Sequence, residues 1–111
     1  MGDGQHVWAA AEWVLMIRNC FVREEGKRLI LCSGIPYMWL EKNQTITFGP
    51  APTSFGEVQV SIKPDRENVA IEWDGKWLTH EPPIEICVPG FQKIHAQPQS
   101  HSVTLKRGRT L

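Results

Sequence analysis

The residue types best suited to chemistry lie together near the start of the chain. Asp3, Gln5, His6 and Trp8 supply a carboxylate, an amide, an imidazole and an indole. They stand at the predicted start of a helix, where unpaired backbone N–H groups favour oxygen-rich ligands. Alternatively, Asp3 only caps the helix and His6 is an ordinary hydrogen-bonded polar residue. The residues alone leave both interpretations open.

Other patterns typical of catalysis or metal binding are missing from the sequence. Ser33 and Ser54 lack a Gly-x-Ser-x-Gly motif, and no glycine-rich run has the spacing of a phosphate loop. Carboxylates occur in pairs that we expect to be mostly solvated: Glu24 and Glu25, Glu72 and Asp74, Glu81 and Glu85. The cysteines and histidines lack metal-ligand spacing, so we expect no metal, no cofactor and free thiols: Cys20, Cys32 and Cys87.

Length and charge exclude several classes of protein. The 111 residues (12.6 kDa) suffice for one modest core but fall far short of a (β/α)8 barrel, which takes about 250. Twelve basic and twelve acidic residues give a net charge of zero, which argues against nucleic acid or an anionic membrane as a partner. The polar start resembles no signal peptide, and the apolar stretch after it is shorter than the ~20 residues that span a bilayer. We therefore expect a cytoplasmic location.

Residues 5–24 lack glycine and proline and predict one long helix, which Gly26 would end. On a helical wheel, polar residues occupy one narrow stripe and nearly all the others are apolar. This apolar arc is wider than a surface helix of a small domain needs. We expect one side of it to be covered by the rest of the chain. The other side would need a second subunit or a missing domain.

After Gly26 the sequence predicts short strands with turns between them. The predicted strands are 28–32, 45–48, 58–63, 69–73 and 84–88, with weaker ones at 93–95 and 102–105. Residues 35–40 predict a short helical turn, and residues 49–53 an extended loop. This spacing is typical of an antiparallel sandwich. The predicted fold class is mainly β: an antiparallel β-sandwich with one long N-terminal α-helix.

Two tryptophans flank a strong hairpin signal. Asp74 and Gly75 predict a two-residue turn, which would place Trp73 and Trp77 on opposite faces of the hairpin. Exposed tryptophans can stack on sugar rings, but opposite faces would prevent one shared platform. A freestanding carbohydrate-binding or protein-interaction module that uses these tryptophans is the alternative function, and the lack of a shared platform counts against it.

Several segments together resemble a known family. Residues 2–13 (GDGQHVWAAAEW) are similar to the last barrel helix of six-hairpin glycosidase-like proteins, which are built on an (α/α)6 toroid. Residues 17–19, 22–25, 33–36 and 39–40 resemble the link from that helix into a C-terminal β-sandwich. Residues 51–56 resemble the turn entering the sandwich, and residues 88–90 a strand end within it. The resemblance is densest before residue 60 and weak after Pro89.

The resemblance implies a division and a function. Residues 1–25 would be the terminal helix of an α-toroid domain, and residues 26–111 a C-terminal β-sandwich. The chain would be an accessory, non-catalytic part of a glycoside hydrolase-like protein in carbohydrate metabolism. Trp8 would stack on sugar, while Asp3, Gln5 and His6 would hydrogen-bond sugar hydroxyls. Glycoside hydrolysis generally needs two carboxylates across the scissile bond, and these are expected in the toroid.

Overall fold

The computed structural model describes residues 16–107. Residues 16–21 are helical and lead directly into the first of eight strands. The elements are β1 Val22–Glu25, β2 Arg28–Leu31, α1 Tyr37–Leu40, β3 Ile46–Thr53, β4 Gly56–Pro64, β5 Asn68–Trp77, β6 Ile84–Ile86, β7 Ile94–His95 and β8 Ser102–Lys106. The described protein is therefore mainly β, as the sequence predicts.

The strands form two four-stranded sheets. Sheet 1 has the order β1-β2-β6-β7, and sheet 2 has the order β3-β4-β5-β8. Neighbouring strands are antiparallel except for β2 and β6, which are parallel. Inward-facing residues of both sheets share one hydrophobic core, which includes Leu29, Leu31, Val60, Ile62 and Ile71. Two sheets around one core agree with a sandwich-like arrangement.

Strand β4 shows the local rule that builds sheet 2. Val58, Val60 and Ile62 are fully buried, whereas Gln59 and Lys63 are exposed. Successive side chains on a strand point to opposite faces, so this alternation places one face on the core and the other in water. The prediction for this strand is confirmed.

The end of the predicted helix needs correction. The prediction extends the helix to residue 24, but residues 22–25 form β1, which pairs with β2 from Val22 opposite Leu31 to Glu25 opposite Arg28. Gly26, with a φ of +63°, lies in the turn between these strands and does not terminate a helix. Pairing with β2 and burial of Val22 override local helix preference. The rest of the predicted helix, residues 5–15, lies outside the described residues.

The predicted hairpin at Asp74 and Gly75 is wrong. Strand β5 runs through both residues and pairs with β4 from Gly56 opposite Trp77 to Pro64 opposite Val69. A Cβ on Gly75 would lie 2.2 Å from the Trp77 ring, so the glycine makes room for that indole. The long ladder with β4 offers more hydrogen bonds than a turn would, and the strand continues.

Trp73 and Trp77 consequently share one face of β5, contrary to the prediction. Trp73 is 3% exposed and belongs to the core, and Trp77 packs against that core. The Trp73 Nε1 is buried and has no hydrogen-bond partner among the described residues. Neither indole forms part of an exposed stacking platform.

The predicted loop at residues 49–53 is also a strand. These residues belong to β3, in which Gly49 and Pro50 form a bulge between Phe48 and Ala51 and pairing with β4 resumes at Ala51. A bulge accommodates Gly49 and Pro50 without ending the pairing with β4. Within residues 16–107, no helix combines the length and the apolar character needed to cross a membrane.

Candidate functional site

Side-chain contacts in the described chain converge on the junction between residues 16–21 and the two sheets. We use "junction" for Arg18, Phe21, Glu24, Pro52 and Ser54. These residues come from the helical segment, from β1 in sheet 1 and from the end of β3 with its following turn in sheet 2. Three structural elements therefore meet there.

Aromatic stacking provides the apolar half of the junction. Phe21, the last helical residue, is 3% exposed and stacks on Phe48 of β3, with ring centroids 4.8 Å apart and planes 5° from parallel. Trp39 of α1 lies on Phe21 at 6.0 Å in a tilted arrangement. Such aromatic pairs add to the free energy of burial. Phe21 thus fastens the end of the helical segment to sheet 2.

Arg18 provides a polar clamp beside this stack. Its guanidinium donates to the carbonyl oxygen of Pro52 at 2.8 Å and to Oε2 of Glu24 at 3.4 Å. The arginine is largely buried, with 20% of its side chain exposed. One side chain therefore joins the helical segment to both sheets.

Glu24 completes the clamp through its other carboxylate oxygen. Oε1 accepts hydrogen bonds from the Ser54 backbone N–H, at 3.1 Å, and from the Ser54 hydroxyl. The Ser54 hydroxyl lowers the pKa of Glu24, and although partial burial opposes this, the Ser54 N–H and Arg18 lower it further. Both carboxylate oxygens are occupied, so Glu24 acts here as a charged structural link.

The turn between β3 and β4 is itself ordered by Thr53. Its Oγ1 donates to the carbonyl oxygen of Gly56 at 2.6 Å and accepts from the Phe55 N–H at 3.1 Å. Gly56 has a φ of +135°, and a Cβ there would lie 2.1 Å from the Lys76 carbonyl oxygen. The turn that presents Ser54 to Glu24 is therefore held on both sides.

A second charged cluster lies on the outer face of sheet 1. Glu85 is 2% exposed, which departs from the expected solvation of the carboxylates. Its Oε1 is 3.2 Å from Lys93 Nζ, and its Oε2 is 3.7 Å from Arg28 Nε. Burial opposes ionisation, but the hydrogen bond and charge of Lys93, with the charge of Arg28, lower the pKa of Glu85. A carboxylate satisfied in this way is suited to stability rather than to proton transfer.

The residues predicted to contact sugar are Asp3, Gln5, His6 and Trp8, and all four lie outside the described residues. Apart from Phe21, the junction residues come from segments that the resemblance singled out, 17–19, 22–25 and 51–56, but their mutual contacts were not predicted. Arg18 and Glu24 are separated from Pro52 and Ser54 by about 30 residues of sequence. No local pattern indicates such a long-range pairing.

Cysteines and metal ligands add no further site. Cys20, Cys32 and Cys87 are free, and burial raises the pKa of the Cys32 thiol to about 12. Such a thiol is unreactive near neutral pH. Within residues 16–107, no three His, Cys, Asp or Glu side chains come together as a metal-binding group.

Comparison of the chain with protein-family models, with curated proteins and with solved structures gave no match.

Proposed function

We propose that this chain is an accessory C-terminal β-sandwich domain of a glycoside hydrolase-like protein acting in carbohydrate metabolism, and is not catalytic by itself. The observation that carries the proposal is the junction. Arg18 links the helical segment to Glu24 of sheet 1 and to Pro52 of sheet 2, while Phe21 is stacked in the same place. A domain that braces a neighbour must hold the connecting segment in a fixed direction, and this junction supplies such a hold.

The agreement between the junction and the resemblance supports the family assignment. Three segments resemble the link and entry turn of the glycosidase-like family, and their side chains meet at one corner. In our proposal, the last helix of an α-toroid domain ends at Phe21, and the accessory sandwich begins with β1 at Val22, not at residue 26. The finer feature, one long N-terminal helix, is part of this proposal.

The apolar pattern before residue 16 supports a neighbouring domain or subunit. Ile17, Cys20 and Phe21 pack against the core, whereas Met16 is 60% exposed. The helical segment thus has one apolar side on the sandwich and an apolar side chain directed elsewhere. The wide apolar arc predicted for the preceding residues would continue this second face. Its partner in the proposal is the toroid or a second subunit.

The proposed sugar contacts remain assigned to Asp3, Gln5, His6 and Trp8. In this scheme they line one end of the toroid, and the catalytic carboxylates belong to the toroid. The junction has no role in bond cleavage because both oxygens of Glu24 are already hydrogen-bonded. The isolated chain is accordingly expected to hydrolyse no glycoside.

The decisive experiment is to sequence the DNA upstream of the Met1 codon. The proposal expects an open reading frame that continues upstream and encodes paired helices. The longer product should hydrolyse chromogenic glycosides, and the chain alone should not. A stop codon and a ribosome-binding site directly upstream would overturn the proposal, as would an upstream frame without a helical barrel.

A sedimentation experiment on the isolated chain tests the uncovered apolar face separately. We expect concentration-dependent self-association, because in the proposal the apolar arc packs against a toroid domain that the isolated chain does not contain. Trp13→Gln, on the predicted apolar arc, should reduce it, whereas Glu12→Gln, on the polar stripe, should not. A chain that stays monomeric at all concentrations, or equal effects of the two variants, would contradict the proposed partner face.

A further inference from the structure

The outer face of sheet 2 carries polar side chains in register across its strands. Ser61 of β4 lies opposite Glu72 of β5, which lies opposite Ser102 of β8. The adjacent pair on one side is Gln59 and Asp74. On the other side, Ala70 of β5 lies opposite Thr104 of β8. Polar groups from three strands are thus aligned in rows.

These rows enclose a shallow trough of about 590 Å³. Its short lining side chains are Ser61, Ala70, Ser102 and Thr104. Its longer ones are Gln59, Glu72, Asp74 and His101, and Trp73, which is only 3% exposed, also borders it. Short side chains in the middle of a sheet face, with longer ones around them, leave a concave surface, and this forms the trough. We call it the sheet-2 trough; it shares no residue with the junction.

One hydrogen bond and one ion pair position two parts of the lining. Lys63 Nζ lies 2.7 Å from the Glu72 carboxylate, which partly balances its charge. The His101 carbonyl oxygen accepts from the Trp73 N–H at 2.9 Å, which extends the β5–β8 pairing to the end of the trough. The trough is therefore built on backbone pairing, with mixed donors and acceptors at its surface.

The chemistry of the lining selects among ligand classes. An apolar ligand would find few partners, since most lining side chains are polar. Phosphate or nucleic acid would face the carboxylates of Glu72 and Asp74. A metal ion is disfavoured, because the described residues form no metal-binding group. Vicinal hydroxyls both donate and accept, which matches carboxylates, an amide and serine hydroxyls in one concave face.

We propose that the sheet-2 trough binds a neutral polyhydroxylated ligand, a short saccharide. Asp74 and Glu72 accept hydrogen bonds from ligand hydroxyls, and the Gln59 amide both donates and accepts. Hydrogen bonds to a ligand replace hydrogen bonds to water, so the affinity is weak, with a dissociation constant on the order of millimolar. This site does not depend on the proposed accessory function, and it requires no exposed tryptophan.

The test is an amide NMR titration of the isotope-labelled full chain. The probes are glucose, xylose, cellotriose and xylotriose, with sodium phosphate and calcium chloride in separate titrations. We expect saturable shifts at residues 59, 61, 72, 74, 102 and 104 with at least one saccharide. No saturable shift with any saccharide, shifts centred elsewhere, or stronger binding of phosphate or calcium at the same amides would overturn the proposal.

Variants on the same sheet face distinguish the trough from general surface effects. Gln59→Ala and Asp74→Ala should each weaken saccharide binding by about fivefold to tenfold, since each removes a hydrogen-bonding group. Glu57→Gln is the matched control, because Glu57 is exposed on the same face of β4 but outside the trough. Equal losses in all three variants, or unchanged binding in the first two, would contradict the site. These results are separable from the upstream reading frame, which tests the accessory function.

Discussion

Sheet 1 and sheet 2 share a core but are specified in different ways. Sheet 2 has strands of 8, 9, 10 and 5 residues, all paired antiparallel. Sheet 1 has strands of 4, 4, 3 and 2 residues and contains the parallel pair of β2 and β6. Each sheet has two pairings between successive strands and one between distant strands, β2–β6 in sheet 1 and β5–β8 in sheet 2, so the sheets differ chiefly in the length of their ladders. Sheet 1 therefore relies more on burial and on specific charged contacts.

The outer faces of the sheets show the same difference. In sheet 1, Ile30 and Glu85 lie opposite each other and are 3% and 2% exposed. The charged groups of Arg28 and Lys93 approach Glu85 there. In sheet 2, the outer face carries solvated polar side chains in register across the strands and contains the trough. Substitutions should thus cost more on the outer face of sheet 1 than on that of sheet 2.

The largest expected effect is at the aromatic contact that joins the end of the helical segment to sheet 2. Phe21→Ala would remove a buried ring stacked on Phe48, and should lower the free energy of unfolding by about 3–5 kcal/mol. Urea denaturation followed by fluorescence measures this. Met38→Ala is the control, because Met38 is 64% exposed and should cost little. A loss below about 1 kcal/mol for Phe21→Ala would show that this ring does not hold the helical segment on sheet 2.

A smaller effect tests whether the β3–β4 turn specifies sheet 2. Gly56→Ala would place a Cβ 2.1 Å from the backbone oxygen of Lys76 at a φ of +135°, and should cost about 2–3 kcal/mol. Gly26→Ala is the matched control in sheet 1. It has a φ of +63° and no neighbour within 4 Å, so strain alone should cost about 1 kcal/mol. Equal losses in thermal or urea unfolding would remove the proposed difference between the turns.

The outer faces can be compared through two conservative variants. Glu85→Gln would leave Lys93 and Arg28 facing a buried neutral amide, and should cost about 1–2 kcal/mol. Glu72→Gln removes the ion pair between Glu72 and Lys63, whose side chains are 45% and 49% exposed, respectively. Because both side chains are well exposed, this loss should cost less than about 0.5 kcal/mol. Urea denaturation of both variants measures the difference. The comparison fails if Glu72→Gln costs as much as Glu85→Gln.

Local patterns predicted most strand positions and missed features set by distant partners. The alternation of residues 58–63 correctly predicted which side of β4 is buried. The Asp74–Gly75 signal failed because β5 has a continuous partner in β4 and because Gly75 accommodates the Trp77 ring. The predicted position of the helix end was wrong because residues 22–25 pair with β2 as a strand. In each failure, a tertiary contact outweighs local propensity.

The sites followed the same rule. Free thiols were predicted, but burial of Glu85 was not, since the alternating sequence of β6 does not reveal that both faces are covered. The resemblance indicated the segments of the junction without their contacts. The sheet-2 trough was not predicted, because it needs the register among three strands. Spacing along one strand specifies a face, but only pairing specifies its neighbours.

The smallest expected effect concerns the pH dependence of the junction. The pKa of Glu24 is lowered in the folded chain, chiefly by the Ser54 hydroxyl. A carboxyl with a lowered folded pKa stabilises the fold above its unfolded pKa of about 4.5, and this contribution is lost as pH falls through the folded pKa. Ser54→Ala should therefore reduce stability near neutral pH by about 1 kcal/mol or less, and the difference from the parent should shrink below about pH 4.

Urea unfolding of parent and Ser54→Ala, measured from about pH 7 to about pH 3, tests this dependence. Asp65 and Glu85 also have lowered pKa values, so both proteins should lose stability on acidification. Only the difference between the curves reports on Glu24. Thr47→Ala is the control: its hydroxyl bonds to Ser61 at 3.1 Å on an exposed face, without a carboxylate, so its effect should not vary with pH. Parallel curves for parent and Ser54→Ala at every pH would mean that the Ser54 hydroxyl contributes nothing to the charge state of Glu24. The junction would then be held by Arg18, the Ser54 backbone N–H and the aromatic stack.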